Sequence, residues 1–207
     1  MNIKILAIPA CAAILTIGGC SIGKPGPQIT TYVLEAAPPA PGTGPRRPET
    51  LGMGQVRVAA AYAGRELVYR MDDVKYIADP YESFITEPGG MFGHQIAAWL
   101  DRAGPFSAAQ PGSARTAKSA PYALEVMVTE LYGDFRSADK PAAVMTIQFA
   151  LLDLNDTRQS VVYERTIGRR VDLAQATPAA LVRGYDTGFT EILVELSAGL
   201  ATVHPTR

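Results

Sequence analysis

Apolar and polar residues alternate along two stretches in the second half of the chain, residues 124–129 and 145–151. Such alternation indicates β-strands with one buried face. A turn-forming segment follows at 154–157, and residues 161–167 form a third strand candidate. Because short turns join antiparallel neighbours, these three strands are predicted to form an antiparallel meander.

Two segments have the apolar spacing of helices. The first is predicted over residues 90–103, where Trp99 lies on the buried face and Gly104-Pro105 ends the helix. The second begins with Thr177 as N-cap and Pro178 in the first turn. Its apolar stripe comprises Leu181, Tyr185, Phe189, Ile192, Leu196, Leu200 and Val203. Gly184 and Gly188 lie within this helix, where each costs about 1 kcal/mol relative to Ala, so close packing against the sheet is predicted.

The first half of the chain contains shorter strand candidates. They are residues 30–34, 56–60, 66–70 and 74–78, the last two forming a hairpin around Met71-Asp72-Asp73. The proline-rich segment 36–48 is predicted to be an irregular surface loop. Residues 110–120 are predicted to be a loop of small residues. The order of strands, helix, strands and helix predicts an α+β fold with a mostly antiparallel sheet and two helices packed on one face.

The first 19 residues have the pattern of an export signal. Lys4 precedes an apolar run that is too short to span a bilayer. Ile17-Gly18-Gly19-Cys20 then resembles the lipobox of bacterial lipoproteins, which implies cleavage before Cys20 and lipidation of its thiol. An ordinary secretory leader followed by a chance cysteine is the alternative. We therefore expect a signal peptide at 1–19, a lipidated tether at 20–29 and one domain at 30–204.

Composition narrows the possible functions of the mature chain. The sequence has 19 basic and 20 acidic residues, and removal of the leader takes only Lys4, leaving 18 against 20 and a net charge of −2. This near-neutral balance gives no support for nucleic-acid binding. Cys11 leaves with the leader and Cys20 is expected to be acylated, so no disulfide is predicted.

Catalytic and cofactor motifs are sparse. There is no G-x-S-x-G elbow, no P-loop and no complete dinucleotide fingerprint, so neither an enzyme nor a cofactor is predicted. His94 and His204 are expected to be surface residues, and no metal site is predicted. The acidic group Asp72, Asp73, Asp79, Glu82 and Glu87 is interpreted as a solvated hairpin and loop, with a cation site or catalytic pair as the alternative. Arg169-Arg170 is interpreted as a polar strand end, with lipid head groups as the alternative ligand.

The proline-bounded segment around Tyr81 and Phe84 is the candidate partner-contact surface. Large apolar side chains in such a loop indicate a contact surface, and packing over the core is the alternative.

An ordered set of motifs resembles the auxiliary lipoproteins of ABC-type transporters, a family that includes the paraquat-inducible protein C lipoproteins. The set comprises Tyr32-Val33-Leu34, Leu67-Val68-Tyr69-Arg70, residues 74–77, Tyr81, Phe84, Glu87-Pro88, Leu100 and Gly104-Pro105-Phe106. Two departures are Phe84, where the family commonly has tryptophan, and the proline-rich segment 36–48, which looks like an insertion.

The resemblance implies a non-catalytic role at the periplasmic face of the outer membrane. The expected partners are a mammalian-cell-entry (MCE) protein, an ABC permease and its ATPase, in a system that moves phospholipid or other hydrophobic molecules between membranes. A homo-oligomeric ring is also implied. A lipoprotein that assembles or plugs an outer-membrane β-barrel is one alternative, and a periplasmic enzyme using the acidic group is another.

Overall fold

The computed structural model describes residues 28–40, 42, 44–110 and 120–203. The predicted leader, Cys20 and His204 lie outside these residues. The strands are β1 (Thr30–Tyr32), β2 (Arg47–Val58), β3 (Glu66–Arg70), β4 (Tyr76–Phe84), β5 (Phe106–Gln110), β6 (Tyr122–Asp134), β7 (Ala142–Asp153) and β8 (Val161–Asp172). The helices are α1 (Pro88–Ala103) and α2 (Pro178–Ala201).

The meander β6–β7–β8 is the longest continuous part of the sheet. Tyr122 to Asp134 pairs antiparallel with β7, and β7 pairs antiparallel with β8 along nearly its whole length. The side chains at alternating positions on β6 and β7 are buried on the face that meets the helices. The predicted α+β class, with long antiparallel ladders and two helices, is therefore confirmed.

The other edge of β6 carries two different strands. Leu51–Val58 of β2 pairs parallel with the first half of β6, and Tyr69 and Arg70 of β3 pair parallel with its last two residues. Beyond β2 lies β5, and beyond β3 lie β4 and then β1. The sheet is consequently mixed, and it divides into two arms on this side of β6.

Strand β2 begins earlier than the sequence predicts. Arg47 and Pro48 belong to β2 rather than to an irregular loop over 36–48, and β5 was not predicted as a strand. The β2–β5 register shifts between Arg47 and Thr50, so Pro48 lies at an irregularity of the ladder. Proline, which has no backbone N–H, is tolerated at such a position. The predicted hairpin also extends further, because β4 continues to Phe84.

Both helices pack on the same face of the sheet. Helix α1 lies over β2 and β5, and α2 lies over β7 and β8. The rings of Phe92 and Phe189 meet edge to face at 4.9 Å between centroids, and the indole Nε1 of Trp99 donates a 3.0 Å hydrogen bond to Ser197 Oγ. These contacts confirm that Trp99 belongs to the core. Neither α1 nor α2, the helices in the part of the chain that the structure describes, has the length and apolar character needed to cross a bilayer.

The two glycines of α2 lie against the sheet, as predicted. A Cβ atom at Gly184 would lie 2.7 Å from Ala143 Cβ and 2.6 Å from Leu173 Cδ2. A Cβ atom at Gly188 would lie 3.3 Å from Arg169 Cβ and from Val171 Cγ2. Gly184 is therefore required for the close approach of α2, and Gly188 has slightly more room.

Candidate docking surface

The turn between β3 and β4 is fixed by one aspartate. Asp72 Oδ1 accepts hydrogen bonds from the backbone N–H groups of Val74 at 2.8 Å and Lys75 at 2.6 Å. These bonds hold the pKa of Asp72 below its ordinary value, because they stabilise the charged carboxylate. We call residues 71–75 the hairpin tip.

Strand β4 bulges outward between two points of contact with β3. Glu66 pairs with Ser83 and Val68 pairs with Ala78, so four residues of β4 lie opposite one residue of β3. Asp79 Oδ1 accepts hydrogen bonds from the backbone N–H groups of Tyr81 at 2.9 Å and Glu82 at 3.2 Å. This Asx-type turn holds the bulge and places Tyr81 on its outer side.

Two tyrosines hold the bulge from below. Tyr69 Oη donates to Asp79 Oδ2 at 3.1 Å, and Tyr32 Oη donates to Glu82 Oε2 at 2.7 Å. Burial, then the hydrogen bond and charge of Glu82, raises the pKa of Tyr32 to about 12. Burial, then the charge of Asp79, also raises the pKa of Tyr69. Both phenols therefore remain neutral donors, and the turn keeps its shape at physiological pH.

The two candidate partner-contact residues lie in different environments. Tyr81 is 46% exposed on the outer side of the bulge. Phe84 is only 2% exposed, and its ring lies 6.3 Å from that of Tyr185. Of this pair, only Tyr81 has a side chain that a partner can reach without rearrangement of the core.

Several apolar side chains near Tyr81 are also exposed. The group, which we call the hairpin surface, comprises Met71, Val74, Tyr76, Ile77 and Tyr81. Tyr76 contacts the ring of Tyr132 edge to face at 5.6 Å, and the guanidinium of Arg70 lies 5.6 Å from the Tyr76 ring centroid. Exposed apolar side chains on a hairpin that is held by such an edge-to-face contact are suited to binding a partner or a lipid surface.

A buried carboxylate organises the end of the domain beside the hairpin tip. Asp134 accepts a bidentate pair of hydrogen bonds from Arg136 at 2.9 and 2.8 Å, and a further bond of 2.6 Å from Arg170. Arg136 also pairs with Asp73 of the hairpin tip at 3.2 Å. The two guanidinium groups hold the pKa of Asp134 well below its usual range, despite its burial. The hairpin tip is thereby linked to the β6–β7 turn.

The predicted acidic group does not converge on one site. Asp72 and Asp79 each hold a turn, Asp73 pairs with Arg136, and Glu82 accepts from Tyr32. Glu87 precedes α1 as its N-cap residue. Among the residues that the structure describes, no group of three or more His, Cys, Asp or Glu is placed to hold a metal ion.

The remaining candidates have mainly surface or structural positions. His94 is exposed on α1. Arg169 pairs with Glu191 at 3.0 Å and Glu195 at 2.7 Å on α2, whereas Arg170 binds Asp134 on the other side of β8. Sequence reasoning did not identify Asp134 or Arg136. The only sequence signal for this pair was the Asp-x-Arg spacing at the end of a strand. The other two members of the network, Asp73 and Arg170, are distant in sequence.

A model of a known family matches residues 32–197, described as the ABC-type transport auxiliary lipoprotein component. The chain belongs to this family. The match includes the whole hairpin surface of this auxiliary lipoprotein. Among curated proteins no match is found.

Solved structures show the same fold. Protein XCC0632 from Xanthomonas campestris superposes on the auxiliary lipoprotein with a TM-score of 0.70 at 17% identity, covering 81% of this chain and 92% of that one. An uncharacterized protein gives a TM-score of 0.60 at 17% identity, covering 83% of this chain and 97% of that one. At this identity the likeness concerns the fold alone.

Proposed function

We propose that this auxiliary lipoprotein is a non-catalytic component of an ABC/MCE-type system that moves phospholipid or other hydrophobic molecules between the inner and outer membranes. In this proposal the chain is cleaved before Cys20, acylated there, and held at the periplasmic face of the outer membrane. Its domain docks the MCE protein, which connects it to the permease and the ATPase. Several copies assemble as a ring around the docked partner.

The observation that carries this proposal is the family match over residues 32–197. The leader and the lipobox at Ile17-Gly18-Gly19-Cys20 supply the anchor, and two or more acyl chains hold a protein firmly in a bilayer. Ser21 follows the cysteine in place of the aspartate that commonly signals inner-membrane retention, which favours the outer membrane.

The part of the hairpin surface on β4, which comprises Tyr76, Ile77 and Tyr81, is the proposed contact with the protein partner, and Tyr81 is its main residue. Tyrosine supplies a large, rigid and amphipathic contact area, and it is frequent among residues that dominate binding energy. The Asx-type turn at Asp79 fixes the Tyr81 backbone in advance, which lowers the entropy lost on binding. Phe84 supports this surface from the core rather than touching the partner.

Crosslinking in native membranes tests the proposal. The intact lipoprotein is crosslinked, purified in mild detergent, and its partners are identified by mass spectrometry. Recovery of an MCE protein with its permease and ATPase supports the proposal. Recovery with an outer-membrane barrel, or with no partner, contradicts it.

Two variants locate the contact. Tyr81→Ala is expected to reduce MCE recovery by at least tenfold, because a central aromatic residue is removed. Val194→Ala, on the exposed side of α2, is the matched control and is expected to leave recovery unchanged. Equal recovery with both variants excludes Tyr81 as the main contact.

The location and the assembly need separate measurements. Cys20→Ser is expected to release the protein from membrane fractions, whereas the native chain should sediment with the outer membrane on a density gradient. Native mass spectrometry of the detergent-solubilised lipoprotein should give a closed oligomer. A monomer at all concentrations contradicts the ring.

A further inference from the structure

The hairpin tip has two apolar side chains that are exposed to solvent. Val74 is 89% exposed, although its backbone is fixed by Asp72, and Met71 beside it is partly exposed. A large aliphatic side chain at the end of a rigid turn gains nothing from contact with water. Its placement is therefore explained best by an apolar environment outside the domain.

The direction of β1 relates this tip to the N-terminal chain. Strand β1 pairs parallel with β4, with Thr30 opposite Glu82 and Tyr32 opposite Phe84. Strand β4 runs away from the hairpin tip, so β1 also runs away from it. Residues 28 and 29 consequently lie on the hairpin-tip side of Thr30, and Ile29 is exposed.

The available chain length is sufficient to bring the lipid anchor to this end. Thr30 is ten Cα–Cα steps from Cys20, and this chain spans at most about 36 Å when extended. The eight Cα–Cα steps from Glu82 back to Val74 span at most about 29 Å. A bilayer that holds lipid on Cys20 can therefore touch the tip while β1 keeps its place in the sheet.

Charge does not oppose this approach. The side chains around the tip and the adjacent strand ends are balanced, with Arg70, Lys75, Arg136, Lys140 and Arg170 against Asp72, Asp73, Asp134, Asp139 and Asp172. Asp134 and Asp73 are further neutralised by direct ion pairs. Attraction to the bilayer must then come from the apolar tip. A weak insertion suffices, because the anchor already supplies a high effective concentration.

We infer that the hairpin tip, led by Val74, inserts into the headgroup region of the membrane that holds the Cys20 lipid. This inference rests on the acylation of Cys20 in the proposed function. It assigns one end of the domain to the bilayer and leaves Tyr81, further along β4, beside the membrane surface. A partner bound at Tyr81 would then lie close to the lipid headgroups.

The opposite end of the domain offers a matched control site. Val161 begins β8 and pairs with Leu152, at the end of the meander where Tyr122 pairs with Asp153. The Val161 side chain is 54% exposed. It lies at the opposite end of the long strands from Asp134 and Asp172, which are next to the hairpin tip. A probe that replaces Val161 therefore reports an exposed position that should remain in water.

The test uses the full acylated lipoprotein in vesicles of phosphatidylethanolamine and phosphatidylglycerol. Cys20 is blocked by lipid and Cys11 leaves with the leader, so Val74→Cys and Val161→Cys each carry one reactive thiol for the fluorophore NBD. The probe at 74 is expected to gain emission several-fold, shift to the blue and be quenched by nitroxide lipids. The probe at 161 should show none of these changes. Since the attraction is apolar, the result at 74 should persist when phosphatidylglycerol is omitted.

Two outcomes overturn the inference, and they are distinguishable. If mass spectrometry finds the lipid on Cys20 and the vesicles float with protein, but both probes remain in water, the inference fails while the anchor of the proposed function stands. If Cys20 carries no lipid, both fail.

Discussion

The phenol of Tyr32 donates a 2.7 Å hydrogen bond to the carboxylate of Glu82. This bond joins β1, the first strand after the expected tether, to the bulge that carries Tyr81. The pair is separated by 50 positions in sequence, and only the sheet brings it together.

Tyr32→Phe tests the energetic value of this bond. Loss of one hydrogen bond should lower the free energy of unfolding by about 1 kcal/mol, because the ring keeps its packing and only the hydroxyl is removed. The measurement is urea denaturation at neutral pH. Glu82→Gln is the companion variant, and a hydrogen bond that matters should make the two effects less than additive.

The raised pKa of Tyr32 predicts a dependence on alkaline pH. The folded pKa of Tyr32, about 12, lies above the ordinary value of 10.0. The contribution of Tyr32 to the free energy of unfolding is therefore fully present below pH 10 and is lost as the pH rises toward 12. Tyr32→Phe should flatten this decline in part. Part of the decline should persist, because burial also raises the pKa of Tyr62 to about 12 and raises the pKa of Tyr69. An unchanged slope in the variant contradicts the assignment.

Phe84→Ala and Tyr81→Ala should separate packing from contact. Phe84 is buried against Tyr185, so its truncation should cost about 3–5 kcal/mol of folding free energy. Tyr81→Ala should change stability by less than about 0.5 kcal/mol, since its side chain faces solvent. Thermal and urea unfolding measure both. A strongly destabilised Tyr81 variant would show that this residue supports the bulge rather than contacts a partner.

Asp134→Asn should reduce the loss of folding stability at acidic pH. The arginines depress the folded pKa of Asp134, so the carboxylate stabilises the fold above its unfolded pKa of about 4 and this contribution is lost as pH falls below that value. The variant should be less stable at neutral pH by about 1.5–3 kcal/mol, the range for hydrogen bonds to charged groups. Its stability should then decline less than that of the native protein between about pH 5 and 2. Parallel curves would exclude Asp134 as the source.

Gly184→Ala and Gly188→Ala form a matched pair on α2. Alanine favours a helix over glycine by about 1 kcal/mol at either position. At Gly184 the new methyl would meet Ala143 Cβ at 2.7 Å, so overpacking of about 1–3 kcal/mol should outweigh this gain. At Gly188 the nearest atoms lie at 3.3 Å, and the two effects should nearly cancel. Equal unfolding free energies for both variants would contradict this account.

The periodic elements were predictable because their signal is local. Alternation along residues 124–129 and 145–151 marks strands with one buried face, and the stripe from Leu181 to Val203 marks α2. Thr177 caps α2 as predicted, accepting from Ala180 N at 3.3 Å. The tight approach at Gly184 was predictable too, because a helix tolerates glycine there only for a packing reason.

The parallel pairings and the strand β5 were not predictable in the same way. Residues 106–110 carry little alternation, and their place beside β2 depends on a crossover through α1. Arg47 and Pro48 read as loop because proline lacks a donor, yet the register shift in β2 accommodates it.

The sequence by itself determined the α+β class and the set of motifs that resembles the family, because each depends on neighbouring residues. The leader with its lipobox stays a prediction from the same kind of local pattern. Only the tertiary structure decided that Tyr81 is exposed while Phe84 is buried. The two residues are three positions apart, so a strand places them on opposite faces in any case. Only the packing of Phe84 against Tyr185 shows which of the two faces meets the core. The linkage of Asp134 with Arg136, Arg170 and Asp73 was likewise decided by folding, because it joins the ends of β6 and β8 to the hairpin tip, and these are far apart along the chain.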